Sequence, residues 1–495
     1  MKFSAASSAP VDVATDLLAI PVFDDGIPGS EAAKAADAKL GGLLAAAAAD
    51  ERFEGKAGQS LTLHTHGKLA ARRVVLLGIG KAAAFDAADA RHLAARAAKL
   101  AGASNSKSFA LVAPTGRDDE RFLQLYVEGA LLGRYKFGRY QTAEDAKRPD
   151  PVEAFAVVTS AKSAEAFARA AKRAEIIASS VAKARDLINE PAGYMTPRRM
   201  EEEARALAKA HGLTIDVLGP EKCRELGMGM FLAVSQGSVE EPRFIHLVYK
   251  PAGTPKKKVA LVGKGVTFDS GGLSLKPNEG MLDMKVDMSG SAAVISAIAA
   301  IAQVGSPYEV HAFTALTENM PSGSSYKLGD VLRSMAGKTV EINNTDAEGR
   351  LTLGDAITYA LKQKPDEIFD FATLTGACVV ALGPHTAGVM GNNEDLSKAW
   401  LAAAKSAGED MWPLPLSPRL RDQLKSEIAD MRNTGERWGG ALTAGLFLKE
   451  FVGETPWVHV DIAGPASADK EFGYISKGGV GFAVSTMVEY LAPRG

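Results

Sequence analysis

Two short stretches of this chain concentrate the side chains that could do chemistry. The first is Val262–Pro277 (VGKGVTFDSGGLSLKP), whose ionisable members are Lys264, Asp269 and Lys276. Asp283, Lys285 and Asp287 follow it in Met281–Met288 (MLDMKVDM). The second is Asn343–Leu351 (NNTDAEGRL), which carries Asp346, Glu348 and Arg350. Asp346 and Glu348 are two residues apart, so an extended backbone would put both carboxylates, and Arg350 after them, on one face. Carboxylates with water and carbonyl oxygens suit hard or borderline divalent cations. Left without a cation, converging carboxylates repel and raise their own pKa values. A pair of divalent ions about 3.5–4 Å apart removes that conflict and lowers the pKa of a shared water from ~15.7 toward ~7, which yields hydroxide at neutral pH. Taken singly, Asp269 or Asp287 reads equally well as a turn or helix-start carboxylate. Taken together they do not, because both stretches lie at strand ends beside glycine-rich turns, where α/β sheets place ligands.

Other chemistries lack their residues. Gly78–Ile79–Gly80 follows a strand-like run but misses the third glycine of a dinucleotide fingerprint, and Gly263–Lys264–Gly265 fails in the same way. Gly337–Lys338–Thr339 resembles the end of a phosphate loop, yet Leu332 stands where that loop needs glycine. There is no G-x-S-x-G elbow and no H-E-x-x-H helix. The eight histidines are scattered and none falls in the acidic stretches; His64 and His66 share a strand face without a third ligand. Cys223 and Cys378 form no CxxC pair and read as two buried thiols in a reducing compartment.

The elements that must position the acidic stretches follow from periodicity. Val74–Gly78 and Phe109–Pro114 are β-like runs with an Ala-rich helical stretch, Phe85–Leu100, between them. Asn105–Ser108 and Gln141–Asp150 read as polar loops. Ser160–Leu187 keeps helical spacing and stops at Asn189–Glu190–Pro191, because proline cannot continue the ladder. Thr196 and Pro197 then read as an N-cap and first helical residue. Beyond them, strands are expected at Phe244–Val248, Val259–Val262, Glu309–Thr314, Val340–Ile342, Ile368–Ala372 and Trp457–Asp461. Helices are expected at Ser289–Gln303, Thr352–Gln363 and Ala441–Phe451. The expected fold class is α/β with two domains, each a mostly parallel or mixed sheet flanked by helices, joined by a long helix. The boundaries are 1–158 for the N-terminal domain, 159–189 for the connecting helix and 190–495 for the catalytic domain.

Bulk properties agree with a soluble globular protein. The 495 residues are 46% hydrophobic and 23% charged. Basic and acidic residues number 57 and 59, for a net charge of −2, which gives no reason to invoke nucleic acid or a membrane surface. The N-terminus lacks a signal-peptide run. Gly41–Ala49 and Ala292–Ala302, the most apolar segments, fall short of the ~20 residues of a membrane span. A cytoplasmic location is expected.

Val262–Lys276 and Asn343–Leu351 resemble the two signature segments of the leucyl aminopeptidase (cytosol aminopeptidase) family, the second containing that family's NTDAEGRL motif unchanged. Asn189–Pro197 (NEPAGYMTP), Asp370–Ala377 (DFATLTGA), Gly439–Leu448 (GGALTAGLFL) and Trp457–Gly464 (WVHVDIAG) agree with it too. The resemblance runs over roughly residues 185 to 490. Gly193 departs from the asparagine common in the family, and the small-residue run Ala441–Gly445 differs slightly; neither is a proposed ligand.

The resemblance implies a two-metal aminopeptidase that removes N-terminal residues, Leu and similar ones preferred, from peptides. It implies metal ligands at Lys264, Asp269, Asp287, Asp346 and Glu348, with Asp269 and Glu348 bridging the two Mn2+ or Zn2+ ions. Lys264 must be neutral to serve. Lys276 and Arg350 match the catalytic pair: a fixed cation suits the oxyanion formed on attack at a carbonyl, and a guanidinium can hold a planar anion, bicarbonate in this family. An ion pair orienting Glu348 is the other reading of Arg350. Met284, Asn344, Thr373, Leu374 and Gly376 match substrate-binding positions; a pocket of Met and small residues accepts Leu or Met side chains. A free amine on the substrate would replace one metal-bound water. The family further implies a homohexamer. Competing expectations are a dinuclear hydrolase acting on another bond, such as a phosphoester, and a nucleic-acid-binding regulator on the same scaffold.

Overall fold

The computed structural model describes residues 1–144 and 149–494. The polar loop expected over Gln141–Asp150 therefore includes residues 145–148, which lie outside the described residues. The chain divides into two compact units, Met1–Ser179 with Lys470–Ser476, and Ser180–Asp469 with Lys477–Gly495.

The first unit is built on a six-stranded sheet of β1 (Lys2–Ala6), β2 (Leu17–Val22), β3 (Ser60–His64), β4 (Arg73–Gly78), β5 (Ser108–Val112) and β6 (Ala154–Val158), in the order β1-β6-β5-β2-β4-β3. All neighbours are parallel except β3, which runs against β4. Apolar side chains on both faces explain the run of buried residues in β2. Leu17, Ala19, Val75 and Leu77 face one core, and Leu18, Ile20, Val74 and Leu76 the other. The Ala-rich stretch forms the helix Ala87–Ala103, started by a capping box of Asp86 and Asp89. Ala161–Asn189 is one long helix, as its spacing predicts.

The second unit carries an eight-stranded mixed sheet. Its strands are β7 (Thr214–Leu218), β8 (Arg243–Tyr249), β9 (Lys258–Asp269) and β10 (Glu309–Asn319). Next come β11 (Val331–Arg333) and β12 (Thr339–Glu341), which leave the large sheet to form a small one with β16 (Met431–Arg432). The large sheet continues with β13 (Glu367–Ala372), β14 (Ala387–Gly391), β15 (Met411–Pro413) and β17 (Trp457–Asp461), in the order β15-β14-β17-β13-β9-β10-β8-β7. Its centre, β17-β13-β9-β10, is parallel. The chain steps from β9 to β10 on one side, then returns to place β13 and β17 on the other. The topological switch therefore lies between β9 and β13, where open α/β sheets form a crevice at the carboxyl ends of the strands.

Three sequence expectations change here. β9 does not break after Val262; it continues through Gly263, Lys264 and Gly265 to Asp269. Those glycines serve close packing, not a turn: a Cβ on Gly263 would lie 2.7 Å from the Gly290 carbonyl carbon, and one on Gly290 only 2.0 Å from the Phe371 carbonyl oxygen. The helix Ser289–Val304 thus rides directly on the sheet. Second, Asn343–Glu348 is not extended. It turns into the helix Gly349–Leu361, with Glu348 already at helical φ −76° and ψ −35°. Third, the helical run Asn278–Val304 is by length and composition long and apolar enough to cross a membrane, but 83% of its most apolar window is buried inside the protein. It is a core helix. The cap reading holds at Thr196, whose hydroxyl accepts from Arg199 N, with Pro197 at the first helical position.

Candidate metal centre

Lys264 sits in β9 just past the last residue that pairs with β13, Gly263 opposite Phe371. Beyond that point β9 pairs only with β10, so its side toward β13 is open and the Lys264 side chain fills the start of the crevice. Its buried ammonium donates to Asp287 Oδ1 at 2.7 Å and to the Thr373 carbonyl at 2.9 Å, and lies 2.9 Å from Glu348 Oε1. Asp287 comes from the 3-10 turn Met284–Met288 that leads into the core helix, and Thr373 Oγ1 also donates to its Oδ1 at 2.8 Å. Gly349 has no room for a side chain, because a Cβ there would lie 2.3 Å from Lys264 Cε.

The register between β9 and β10 shifts by one residue at Thr317/Glu318, a bulge that brings Asp269 level with Asn319. Asn319 Nδ2 donates to Asp269 Oδ1 at 2.8 Å and to the Thr345 carbonyl at 2.9 Å, joining the two acidic stretches. Thr345 Oγ1 donates to the Gly271 carbonyl at 2.7 Å, and Gly271 holds φ +86°, which L side chains rarely adopt. Asp269, Asp346 and Glu348 consequently offer carboxylate oxygens all within 4.8 Å of one another. Lys276 Nζ lies between two of them, 2.9 Å from Asp269 Oδ2 and 2.6 Å from Asp346 Oδ1. Arg350, in the first turn of its helix, is buried and donates from Nη1 to the Asn433 carbonyl at 2.7 Å. Its Nε has no partner, and Arg350 forms no ion pair with Glu348 among the described residues.

The electrostatics are those of a site short of positive charge. Four carboxylates share two ammonium groups. Burial, reinforced by Glu348, pushes Asp269 up to about 6. Burial also raises Asp287 and Asp346 above the ordinary carboxylate range. Burial would raise Glu348 too, but Lys264 outweighs it and holds that carboxyl low. Burial opposes the charge on both lysines, and the carboxylates around them prevail, so both are held above the usual lysine value. Burial brings Arg350 down to about 10. Buried oxygens Asp287 Oδ2 and Glu348 Oε2 lack any hydrogen-bond partner among the described residues. Unsatisfied buried acceptors are costly unless a cation takes them up, so the donor set fits divalent ions. The lysine ammoniums occupy the positive positions that such ions would take.

The structure brings Lys264, Asp269, Lys276, Asp287, Asp346, Glu348 and Thr373 into this direct network. Asn344 is one step removed, its Oδ1 accepting from Asp346 N at 2.9 Å. Leu374 N and Thr375 Oγ1 donate to the buried carboxylate of Asp461 at 3.2 and 2.7 Å. Gly376 opens the short helix Gly376–Leu382 with open space around its Cβ position, and Met284 is half-buried at the start of the 3-10 turn that carries Asp287. Asn319, Asn433 and Asp461 escaped the sequence reading as site residues. Asp461 and His459 had a signal: two polar residues inside the apolar strand WVHVD, all of it buried. Asn433 had none.

A family model described as the catalytic domain of the cytosol aminopeptidase family matches residues 182–488, and one described as that family's N-terminal domain matches residues 19–144. A relative from Cyanothece sp. named a probable cytosol aminopeptidase is 42% identical over 497 residues, covering 99% of each chain. One of the same name from Microcystis aeruginosa is 44% identical over 454 residues, covering 92% of this chain and 91% of its own. Among solved structures, a leucine aminopeptidase mutant from tomato aligns with TM-score 0.91 and 37% identity, covering 100% of this chain and 97% of its own. The bottromycin maturation enzyme BotP in complex with Mn aligns with TM-score 0.84 and 35% identity, over 97% and 99%.

Proposed function

The chain belongs to the cytosol aminopeptidase family and is a metallo-aminopeptidase, and on that premise we propose that it removes N-terminal residues, Leu and similar ones first, with two divalent ions per chain. The observation that carries this reading is the charge imbalance at the switch point: four carboxylates facing two ammonium groups, with buried oxygens left unpartnered among the described residues. Asp269, Asp287, Asp346 and Glu348, with Lys264 as a neutral amine, would hold the ions, for which Mn2+ or Zn2+ are the proposed identities. When bound, such a pair supplies Lewis acidity, lowers the pKa of water toward ~7 and gives the free amine of a substrate a place to anchor.

The chain's own residues supply the rest. Lys276 already faces the carboxylates, and cations there would release its ammonium from them to hold negative charge developing on the scissile carbonyl. Arg350 keeps Nε free of partners among the described residues, so it can grip a planar anion; bicarbonate is the proposed occupant. Met284, Asn344, Thr373, Leu374 and Gly376 are the proposed walls for the first side chain of the substrate. A hexamer and a cytosolic location are proposed on the strength of the family; no observation favours the phosphoester or nucleic-acid readings.

The test pairs metal with substrate. Chelation should abolish hydrolysis of leucine amide, with recovery on adding manganese or zinc, and N-acetylated leucine amide should not be cut. Turnover that survives complete metal removal, or equal cleavage of the acetylated substrate, would overturn the proposal.

A further inference from the structure

A buried polar array that the metal site does not account for holds the loop carrying Thr373, Leu374 and Gly376. Asp461, at the carboxyl end of β17, is fully buried. Its Oδ1 accepts from Leu374 N at 3.2 Å and Ala463 N at 3.1 Å, and its Oδ2 accepts from Thr375 Oγ1 at 2.7 Å. The loop it grips also reaches the metal centre: the Thr373 carbonyl accepts from Lys264, and Thr373 Oγ1 donates to Asp287. Two residues earlier on the strand, His459 Nδ1 lies 2.6 Å from Asp370 Oδ1, and Trp457 Nε1 donates to Asp370 Oδ2 at 2.7 Å. His459 and Asp370 are fully buried, and His459 Nε2 has no hydrogen-bond partner among the described residues.

We propose that Asp461 is a positioning residue, which holds the Thr373–Gly376 loop in register with Lys264 and Asp287. A carboxyl group in a dry core needs compensation from hydrogen bonds or from an opposite charge. For Asp461 three hydrogen bonds, from Leu374 N, Ala463 N and Thr375 Oγ1, offset part of the burial that raises its carboxyl. The loop needs such an anchor because the half-buried Leu374 N and the buried Thr375 Oγ1 would otherwise lose their acceptor. The geometry of Lys264 and Asp287 depends on Thr373, so the anchor acts on metal binding and on the pocket through one loop. Groups that orient metal ligands typically change affinity or activity about 10–100-fold when removed.

This inference rests on the aminopeptidase reading only for its activity arm. The test uses the full chain with Asp461→Asn, Thr375→Val, Thr375→Ser and the double variant Asp461→Asn/Thr375→Val. Mn2+ binding is titrated calorimetrically, and the kinetics of leucine amide and alanine amide are compared. Asp461→Asn and Thr375→Val should each weaken Mn2+ binding about 10-fold and reduce the preference for leucine over alanine. The double variant should be no worse than the worse single one. Thr375→Ser, which keeps the hydroxyl, should restore most of the loss. Wild-type Mn2+ affinity and wild-type leucine/alanine preference in Asp461→Asn would overturn the proposal. So would additive losses in the double variant, or losses that merely track the unfolded fraction by circular dichroism. If the wild-type chain binds Mn2+ but cuts neither amide, the aminopeptidase reading fails, and the binding titrations alone judge the role of Asp461.

Discussion

Gly349→Ala replaces no proposed ligand and yet should disable the centre. The new Cβ would stand 2.3 Å from Lys264 Cε and 2.6 Å from its Nζ, whereas ordinary contact begins at 3.4 Å. The lysine must therefore retreat by about 1 Å. Its ammonium makes three short contacts, to Asp287 Oδ1, the Thr373 carbonyl and Glu348 Oε1, at 2.7, 2.9 and 2.9 Å. A retreat of that size carries most of them out of hydrogen-bond range. Hydrogen bonds to charged groups are worth about 1.5–3 kcal/mol each, and breaking one buried ion pair costs about 3–5 kcal/mol. Against this, alanine for glycine in a helix gains at most about 1 kcal/mol. The clash should win, leaving a net loss of about 2–4 kcal/mol in the metal-free chain. The measurement is urea denaturation of metal-free Gly349→Ala beside wild type, followed by a manganese titration. Repeating it on a Lys264→Ala background isolates the contact, because there the new methyl meets no lysine and should be neutral or slightly stabilising. A Gly349→Ala chain at least as stable as wild type, or an equal loss on both backgrounds, would refute the reasoning.

Asp346→Ala should lower the metal bound per chain as well as the rate; full occupancy by elemental analysis would remove it from the ligand set. Arg350→Lys should keep the metal content but reduce kcat about 100–1000-fold, since a lysine lacks the planar fork that holds an anion; a near-normal kcat would assign Arg350 to structure alone. Asp355, buried in the helix Gly349–Leu361, accepts from Phe231 N at 2.9 Å and Met335 N at 2.8 Å, yet burial pushes it up to about 7. Its folded value exceeds its unfolded one, so the folded chain holds the extra proton between pH ~4 and 7, and stability from this group falls as pH rises through that window. Asp355→Asn should flatten that slope in denaturation midpoints measured across it; an unchanged slope would show that Asp355 is not the titrating group.

The candidate site was legible in the sequence to the extent that its residues are local. Asp269 with Lys264 and Lys276, and Asp346 with Glu348 and Arg350, lie on two short segments whose residue types already demand cations. The chain ends of elements were legible for the same reason: Thr196 before Pro197, and the proline after the long helix, act through bonds to near neighbours. Tertiary structure decided what depends on distant partners. Gly263 and Gly265 read as a turn because glycine permits one, but the core helix pressing on β9 uses them for close approach. Asp346 and Glu348 converge through a turn into a helix rather than by strand alternation, since Asn319 and Thr345 pull that segment onto β10. Asp287 acquires its place only through Lys264 and Thr373, and Asp461 reaches the site from a strand nearly two hundred residues beyond Lys264. Residue types dictate which charges must be neutralised; the order of strands across the sheet decides which charges meet.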